Sequence, residues 1–143
     1  MSDIYHKVFR TYPFPIQKPG YLKRMMKEGV RYFCIRIDGR IAAIAAAEID
    51  SRNENAEMTD FATLPEWRGL GLAGLLLRHM DRKMRDRGIK TAYTIARAAS
   101  HGMNAVFRNK RYLYAGLLKN NTQISGQIES MTVWYKPLRG QAE

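Results

Sequence analysis

The sequence predicts one α/β domain, with a mixed β-sheet and helices packed on both of its faces. Short segments of alternating apolar and polar residues recur along the chain, as they do in half-buried strands. One of these segments leads through a glycine-rich turn into a long helix with a regular apolar stripe. The resulting order, β-β-β-α-β-α-β-β, is typical of an α/β fold, and 143 residues suit a single domain over 1–143.

The N-terminal region is predicted to hold an extended arm and one short helix. Pro13 and Pro15 exclude a helix interior around Phe14, so residues 1–20 are assigned as an arm that carries aromatic anchors. Residues 21–28 follow as a short helix candidate.

A β-hairpin is predicted next. Residues 30–37 alternate and are rich in aromatic and β-branched side chains, and Asp38-Gly39 is a strong turn signal. Residues 41–50 are therefore assigned as the return strand, although their many alanines favour a helix by intrinsic propensity.

The rest of the chain is organised around the segment from residue 57 to residue 88. A strand over 56–64 is followed by the turn Pro65-Glu66-Trp67 and by the run Arg68-Gly69-Leu70-Gly71-Leu72-Ala73, which opens a helix. Gly88 ends this helix. Its apolar residues recur at steps of three and four and predict a buried stripe: Leu72, Leu75, Leu76, Met80 and Met84.

A strand, a glycine-rich turn and a helix N-terminus together predict an anion cradle, because free N–H groups of the first helical turn point at a bound phosphate. Gly69, Gly71 and Gly74 match G-x-G-x-x-G, which alone is a weak signal. A Walker loop is excluded by the absence of Gly-Lys-Ser/Thr. A dinucleotide site is disfavoured because Asp86 lies inside the helix and not at the end of a second strand.

The C-terminal third is predicted to complete the sheet. Residues 90–97 form a strand, and Ser100 is assigned as the N-cap of a helix over 101–110. Closing strands are predicted over 112–118 and 131–136, and a polar loop over 119–126 is predicted to join them.

The net charge of +11 indicates a polyanionic partner, either a nucleic acid or a polyanionic cofactor. In the densest basic run, Asp81 with Arg85 and Arg82 with Asp86 have the i,i+4 spacing of a solvated helix face. This spacing favours a surface ion-pair pattern over a nucleic-acid surface.

Other features exclude several classes of protein. The single cysteine, Cys34, allows no internal disulfide or zinc cluster and is predicted to be a small buried hydrophobe. Three isolated histidines give no metal-ligand spacing: His6, His79 and His101. No apolar run approaches a membrane span and no signal-peptide core is present, so a cytoplasmic protein is expected.

The run Leu64-Pro65-Glu66-Trp67-Arg68-Gly69-Leu70-Gly71-Leu72-Ala73 resembles the Arg/Gln-x-x-Gly-x-Gly/Ala signature of the GNAT acetyltransferase superfamily. That resemblance implies a mostly antiparallel central sheet flanked by helices, with the superfamily's first strand and helix reduced or missing here. It also implies acetyl-CoA as cosubstrate, with the pyrophosphate on the loop amides and the pantetheine arm along the central strand. The cofactor-binding residues implied are Phe61, Ala62, Thr63, Arg68, Gly69, Leu70, Gly71, Leu72, Ala73, Asn104 and Phe107.

Further blocks of the chain resemble the β-lysine N-acetyltransferase family. They are Tyr12-Pro13-Phe14-Pro15, residues 57–65, residues 91–98 and residues 120–131. The family implies acetyl transfer from acetyl-CoA to the side-chain amine of β-lysine, giving the compatible solute Nε-acetyl-β-lysine. An acceptor that is another small amine, a polyamine or a protein lysine remains open, as does a non-catalytic module that binds CoA or nucleic acid. A homodimer is also left open.

Amine acetylation requires a general base, because an ammonium must lose a proton before it attacks. Glu57 lies eleven residues before Arg68, where some GNAT enzymes place a glutamate base; the alternative is a solvated strand-end glutamate. Asp60 has the opposite alternation, and a β-bulge of the kind common in this superfamily would bring both carboxylates to the cleft. No general acid is assigned, because Phe107 stands where tyrosine is usual. Tyr93, Tyr114, a water or no acid at all remain open.

A diamino acid acceptor needs carboxylates for its ammonium groups and donors for its own carboxylate. Asp60 and Glu129 are candidates for the first role. The candidates for the second role are Arg97, Ser100, Asn120 and Asn121.

Overall fold

The computed structural model describes residues 1–124 and 126–139, and within them the chain forms one six-stranded sheet with helices on both faces. The strands are β1 (Arg31–Ile37), β2 (Arg40–Asp50), β3 (Asn55–Thr63), β4 (Thr91–Arg97), β5 (Leu113–Ile124) and β6 (Gln127–Pro137). The helices are α1 (Ser2–Val8), α2 (Pro19–Lys27), α3 (Leu72–Asp86) and α4 (His101–Asn109). The strand order is β1-β2-β3-β4-β6-β5, antiparallel throughout except for the parallel pair β3–β4. The predicted fold class is confirmed.

The extended arm predicted for residues 1–20 is wrong over residues 2–8, which form helix α1. The prolines exclude a helix only around themselves, and the residues before them are free to become helical. Ile4 and Tyr5 are buried and pack with Ile44 and Leu64 of the sheet side, so tertiary contact stabilises this short helix. The helix expected to be reduced or missing is therefore present; no strand precedes it among the described residues.

The predicted hairpin and its alanine-rich return strand are confirmed. Asp38 and Gly39 both have positive φ, 49° and 74°, as a tight two-residue hairpin turn requires. The alanines of β2 are fully buried, with Ala43, Ala45 and Ala47 in the core beneath α3. Small side chains let the helix lie close to the sheet, and this packing overrides the helix propensity of alanine.

Helix α3 buries its predicted stripe with one exception. Leu72, Leu76, Met80 and Met84 are buried together with Leu77, whereas Leu75 is 54% exposed. Asp81 was predicted on the solvated face and is instead only 3% exposed, because the buried arc of the helix extends past Met80 to meet β6. The predicted surface pair between Asp81 and Arg85 is therefore wrong, and Arg85 Nε donates to the carbonyl of Leu138 at 3.0 Å.

The closing strands are longer than predicted: residues 119–124 of the loop expected over 119–126 belong to β5, residue 125 lies outside the described residues, and β6 begins at Gln127. The polar residues of this segment lie on an edge strand in solvent, where polarity does not oppose strand pairing. A register irregularity separates Leu118 from Thr122, and Asn120 has a φ of 45°. Cys34 was also mispredicted: it lies on edge strand β1 and is exposed.

Two apolar cores cover the two faces of the sheet. One lies between the sheet and α3 and α4, and includes Met58, Leu77 and Phe107. The other lies under α1 and α2, and its buried residues include Tyr5, Leu22 and Ile44. In the part of the chain that is described, no helix is long and apolar enough to cross a bilayer.

Candidate active site

The central feature of the sheet is a split between β3 and β4. The two strands pair only at Asn55–Thr91, Ala56–Ala92 and Glu57–Tyr93. Thr94 Oγ1 donates to the Met58 carbonyl at 2.7 Å at the point where they separate. From there on, the described structure gives β3 no strand partner on its β4 side, so a cleft opens between the two strands.

A cavity of about 540 Å³ fills this split. One wall is residues 59–63 of β3 and the other is residues 94–97 of β4. Arg68 and Ala73 line the end next to α3. The opposite end is lined by residues of the N-terminal region and of the β5–β6 hairpin: Val8, Phe9, Tyr12, Ile124 and Met131. The cavity thus runs from the start of α3 to the contact between these two segments.

The glycine-rich turn shapes the α3 end of the cavity. Gly69 and Gly71 have φ of 79° and 74°, and the space where a Cβ would stand is open at both. Gly71 precedes the first residue of α3, whose first turn carries no acidic residue. Arg68 Nε donates to the Thr63 carbonyl at 3.2 Å, which keeps this cation beside the turn. A glycine-rich turn, a helix N-terminus and a cation lie together here, an arrangement that suits an anion, and the anion cradle itself stays a prediction.

The bulge expected in the central strand is present at Asp60. In the register of β2 and β3, Ala46 pairs with Thr59 and Ile44 with Ala62, so two β3 residues lie opposite Ala45. Asp60 has a φ of 53° and lines the cavity. Tyr12 Oη donates to Asp60 Oδ1 at 2.5 Å, and Thr59 Oγ1 lies 3.3 Å from the same oxygen. Tyr12 was predicted only as an aromatic anchor of the arm and as part of the Tyr-Pro-Phe-Pro block, and no contact with Asp60 was predicted for it.

Glu57 lies at the foot of the split, where it is flanked by Glu48 on β2 and Tyr93 on β4. Burial, with added repulsion from Glu48 and Asp60, raises the pKa of Glu57 to about 7. Burial likewise raises the pKa of Asp60 and, with Asp60 nearby, that of Glu48. A carboxylate with a pKa near 7 suits proton transfer at neutral pH. Of the two predicted carboxylates, Asp60 lines the cavity and Glu57 lies just outside its lining.

Glu129 does not offer its carboxylate to the cavity, because Arg97 holds both of its oxygens. Arg97 Nε and Nη2 each donate to Glu129 at 2.6 Å, and Gln127 Nε2 adds a bond at 3.1 Å. These bonds keep the pKa of Glu129 below its ordinary value. In this structure the Glu129 carboxylate is paired with Arg97, and its predicted contact with a substrate ammonium stays a prediction. Arg97 lines the cavity on the wall opposite Asp60.

Asn104 makes four hydrogen bonds within the protein. Its Nδ2 donates to the carbonyls of Arg97 and Ser100, at 2.9 and 2.8 Å. Its Oδ1 accepts from Thr132 Oγ1 and Trp134 Nε1, at 2.6 and 2.9 Å. All four hydrogen-bonding positions of the amide are used, so Asn104 ties α4 to β4 and β6, and its predicted contact with the cofactor stays a prediction.

The remaining candidates divide between the cavity and the surface. Ser100 lines the cavity and stands at the N-cap of α4 without a side-chain capping bond. Phe107 lines it as an apolar surface, 1% exposed, with its ring edge-on to Phe61 at 5.6 Å. Asn120 and Asn121 lie exposed on β5, outside the lining.

The candidates for a general acid do not line the cavity either. Tyr114 is 56% exposed and packs on Trp134, and Tyr93 lies beside Glu57. Among the described residues, no group of three or more His, Cys, Asp or Glu side chains is placed to hold a metal ion.

Comparison with known proteins identifies the family. The model of the Acetyltransferase (GNAT) family matches residues 1–111, more than half of the chain. The chain belongs to the GNAT family. The β-lysine N(6)-acetyltransferase of Methanococcus maripaludis is 47% identical over 136 residues, which is 95% of this chain and 50% of that protein. The chain spans about half the length of the curated relatives it matches.

Solved structures carry the same GNAT fold. The ribosomal-protein-S18-alanine N-acetyltransferase from Escherichia coli superposes with a TM-score of 0.82 at 19% identity, covering 99% of this chain and 88% of that one. YncA from Salmonella typhimurium, determined with its cofactor acetyl-CoA, gives a TM-score of 0.79 at 14% identity, with the same coverage.

Proposed function

We propose that this GNAT domain transfers the acetyl group of acetyl-CoA to the side-chain amine of β-lysine. The observation that carries the proposal is the split between β3 and β4. It joins the glycine-rich turn at one end to a region with the Asp60 carboxylate on one wall and the Arg97 guanidinium on the other. The likeness to a β-lysine N(6)-acetyltransferase over 95% of the chain supports the choice of acceptor.

The α3 end of the cavity fits the cosubstrate. The amides of residues 69–73 would hold the pyrophosphate, with the Arg68 cation beside them. The unpaired edge of β3 over Phe61–Thr63 offers backbone groups to the amides of the pantetheine arm, and Phe107 provides an apolar surface. Acetyl-CoA supplies a thioester whose thiolate is a fair leaving group, so the proposal requires no general acid at the position of Phe107.

The other end of the cavity fits a cationic amino acid. Asp60 and Arg97 lie on opposite walls, so one site offers a carboxylate to an ammonium and a guanidinium to a carboxylate. Glu57 at the foot of the split would take the proton from the acceptor amine, directly or through a water. Because its pKa is raised to about 7, Glu57 is a stronger base than an ordinary carboxylate. A large fraction of it is still ionised near neutral pH.

An assay of CoA release tests the proposal, with acetyl-CoA and each of β-lysine, α-lysine and spermidine as acceptors. We expect turnover that is selective for β-lysine. Turnover only with another amine would keep the reaction and discard the acceptor. Binding of acetyl-CoA without turnover on any acceptor would support a non-catalytic module instead.

The glycine turn gives a second test through the cosubstrate alone. Gly71→Val is expected to weaken acetyl-CoA binding by about tenfold or more, since a β-branched residue at positive φ is strained by ~1–3 kcal/mol and crowds the cradle. Calorimetric titration with acetyl-CoA measures the effect. Gly20→Ala on α2 is the matched control, because Gly20 has ordinary φ and open space around it. An unchanged affinity in Gly71→Val would place the phosphates elsewhere.

The coupling between Glu48 and Glu57 predicts a shift in pH dependence. The Glu48 carboxylate helps to raise the pKa of Glu57, so Glu48→Gln should move the acidic limb of kcat/KM to lower pH. The pH profiles of the two proteins measure this displacement. Glu54→Gln, which alters an exposed pair with Lys90, should leave the limb in place. A Glu48→Gln profile that coincides with the wild type would argue against Glu57 as the titrating group.

A further inference from the structure

Arg97, on the β4 wall of the cavity, is held by a carboxylate that does not itself line the cavity. Arg97 Nε and Nη2 donate to the two oxygens of Glu129, each at 2.6 Å. The Glu129 side chain is 6% exposed, whereas that of Arg97 is 29% exposed and belongs to the lining. Gln127 Nε2 donates to Glu129 Oε1 at 3.1 Å, so a second side chain of β6 supports the carboxylate. The pair is therefore fixed from the β6 side and presents only its cationic member to the cavity.

The geometry of the pair leaves one edge of the guanidinium free. Of the five N–H groups of an arginine, Glu129 uses two, and none of the other three donates to a described residue. Both N–H groups of Arg97 Nη1 are among these three. The edge formed by Nη1 and Nη2 has the fork geometry that matches a second carboxylate.

On the opposite wall of the cavity, Asp60 is a competitor for the same guanidinium. Asp60 lines the cavity, and its described hydrogen-bond partners are the hydroxyls of Tyr12 and Thr59, neither of which is a cation. An arginine side chain has many rotamers, and opposite charges attract strongly where little water separates them. Without Glu129, Arg97 would be free to turn toward Asp60. The two charged groups that a zwitterionic acceptor needs would then neutralise each other.

We propose that Glu129 is a positioning residue, which holds Arg97 on the β4 wall and apart from Asp60. This inference rests on the proposed function and deepens it: the acceptor class is an amino acid, and the cavity stays open for a molecule that carries both an ammonium group and a carboxylate. Glu129 then sets the preference for amino acids over simple amines without touching the acceptor.

Calorimetric binding of β-lysine and of its carboxamide tests this role, with CoA present in place of acetyl-CoA so that no acetyl transfer occurs. The two probes differ only in the carboxylate. The wild type should bind β-lysine about tenfold or more tightly than the amide, and Glu129→Gln should lower that ratio to about threefold or less. Glutamine keeps the volume of the side chain, so the variant should fold. Glu28→Gln is the matched control, because Glu28 pairs with Arg24 on the exposed surface of α2, and it should keep the wild-type ratio.

A double variant tests whether Glu129 keeps Arg97 apart from Asp60. In Glu129→Gln/Asp60→Asn the opposite wall no longer offers the Asp60 carboxylate to Arg97, so the ratio should return to about tenfold. Both probes carry the same ammonium groups, so the loss of the Asp60 charge cancels from the ratio. A ratio that stays low in the double variant would overturn the separation of the two side chains.

The other outcomes distinguish this role from the reaction and from a structural effect. Equal binding of the two probes by the wild type would overturn the inference. So would an equal weakening of both probes in Glu129→Gln, which is the result expected if Glu129 contacted the acceptor ammonium or only stabilised the hairpin. The expected ratios without any acetylation would keep the positioning role and discard the reaction. Acetylation of β-lysine with an unaltered ratio in Glu129→Gln would keep the reaction and discard the positioning role.

Discussion

Replacing Glu57 by glutamine is expected to lower kcat/KM for acetyl transfer by about 100- to 1,000-fold, within the range that general-base catalysis contributes. The amide has nearly the shape of the carboxylate but cannot accept a proton from the acceptor ammonium. Acetyl-CoA affinity should not change, because the cradle at residues 69–73 lies at the other end of the cavity. CoA release over about pH 5 to pH 9 measures the loss and the disappearance of the limb near pH 7.

Glu57→Gln should lower the activity but raise the stability of the protein above pH 7. The pKa of Glu57 rises from an ordinary 4.5 to about 7 on folding, so the native state binds this proton more tightly than the unfolded chain between those values. The free energy of unfolding therefore falls as pH rises through this window. Glu57→Gln removes that loss, so urea unfolding should find the variant more stable than the wild type above pH 7 and similar to it below pH 4.5.

A glutamine variant that retains both the rate and the limb near pH 7 would rule out Glu57 as the base. Asp60→Asn would then be the decisive variant, because Asp60 lines the cavity and its pKa is also raised by burial. Glu54→Gln serves as the control for a charge change nearby, since Glu54 immediately precedes β3 and is exposed.

Local sequence patterns were sufficient for most of the fold. The hairpin at Asp38-Gly39, the strand over 56–64 and the helix after Gly71 each depend on turn chemistry or periodicity within a few residues. Helix α1 escaped prediction because seven residues are too few to reveal a period, and its burial depends on the sheet. The polar part of β5 escaped because an edge strand in solvent lacks an apolar face.

The candidate site also combines features that a local sequence pattern predicts with features that depend on contacts between distant segments. The glycine-rich turn was predictable, since Gly69 and Gly71 in a local motif indicate positive φ. The contact between Tyr12 and Asp60 joins residues 48 positions apart, and no local pattern predicts it. The hydrogen bonds of Asn104 were unpredictable for a related reason: its partners lie on β4, β6 and the start of α4, which meet only in the folded chain.

The largest effect on stability is expected at Asp81, because its side chain attaches helix α3 to the β5–β6 end of the sheet. Its carboxylate accepts from Lys136 Nζ at 2.8 Å and from Tyr112 Oη at 2.7 Å, and both charged side chains are nearly buried. Asp81→Ala should lower the free energy of unfolding by about 3–5 kcal/mol, because it leaves a buried ammonium without its counter-ion. Urea unfolding measures the loss, and exposed Asp86→Ala on the same helix should change it by less than about 0.5 kcal/mol.

Replacing the whole buried group distinguishes lost charge pairing from lost packing. In the triple variant Asp81→Leu/Lys136→Met/Tyr112→Phe no ammonium, carboxylate or phenol is left unpaired, so most of the stability lost in Asp81→Ala should return. If the triple variant were as unstable as Asp81→Ala, packing and not the uncompensated charge would be the cause. Since α3 begins at the cradle and is held at its middle by Asp81, recovery of stability should be accompanied by recovery of acetyl-CoA binding.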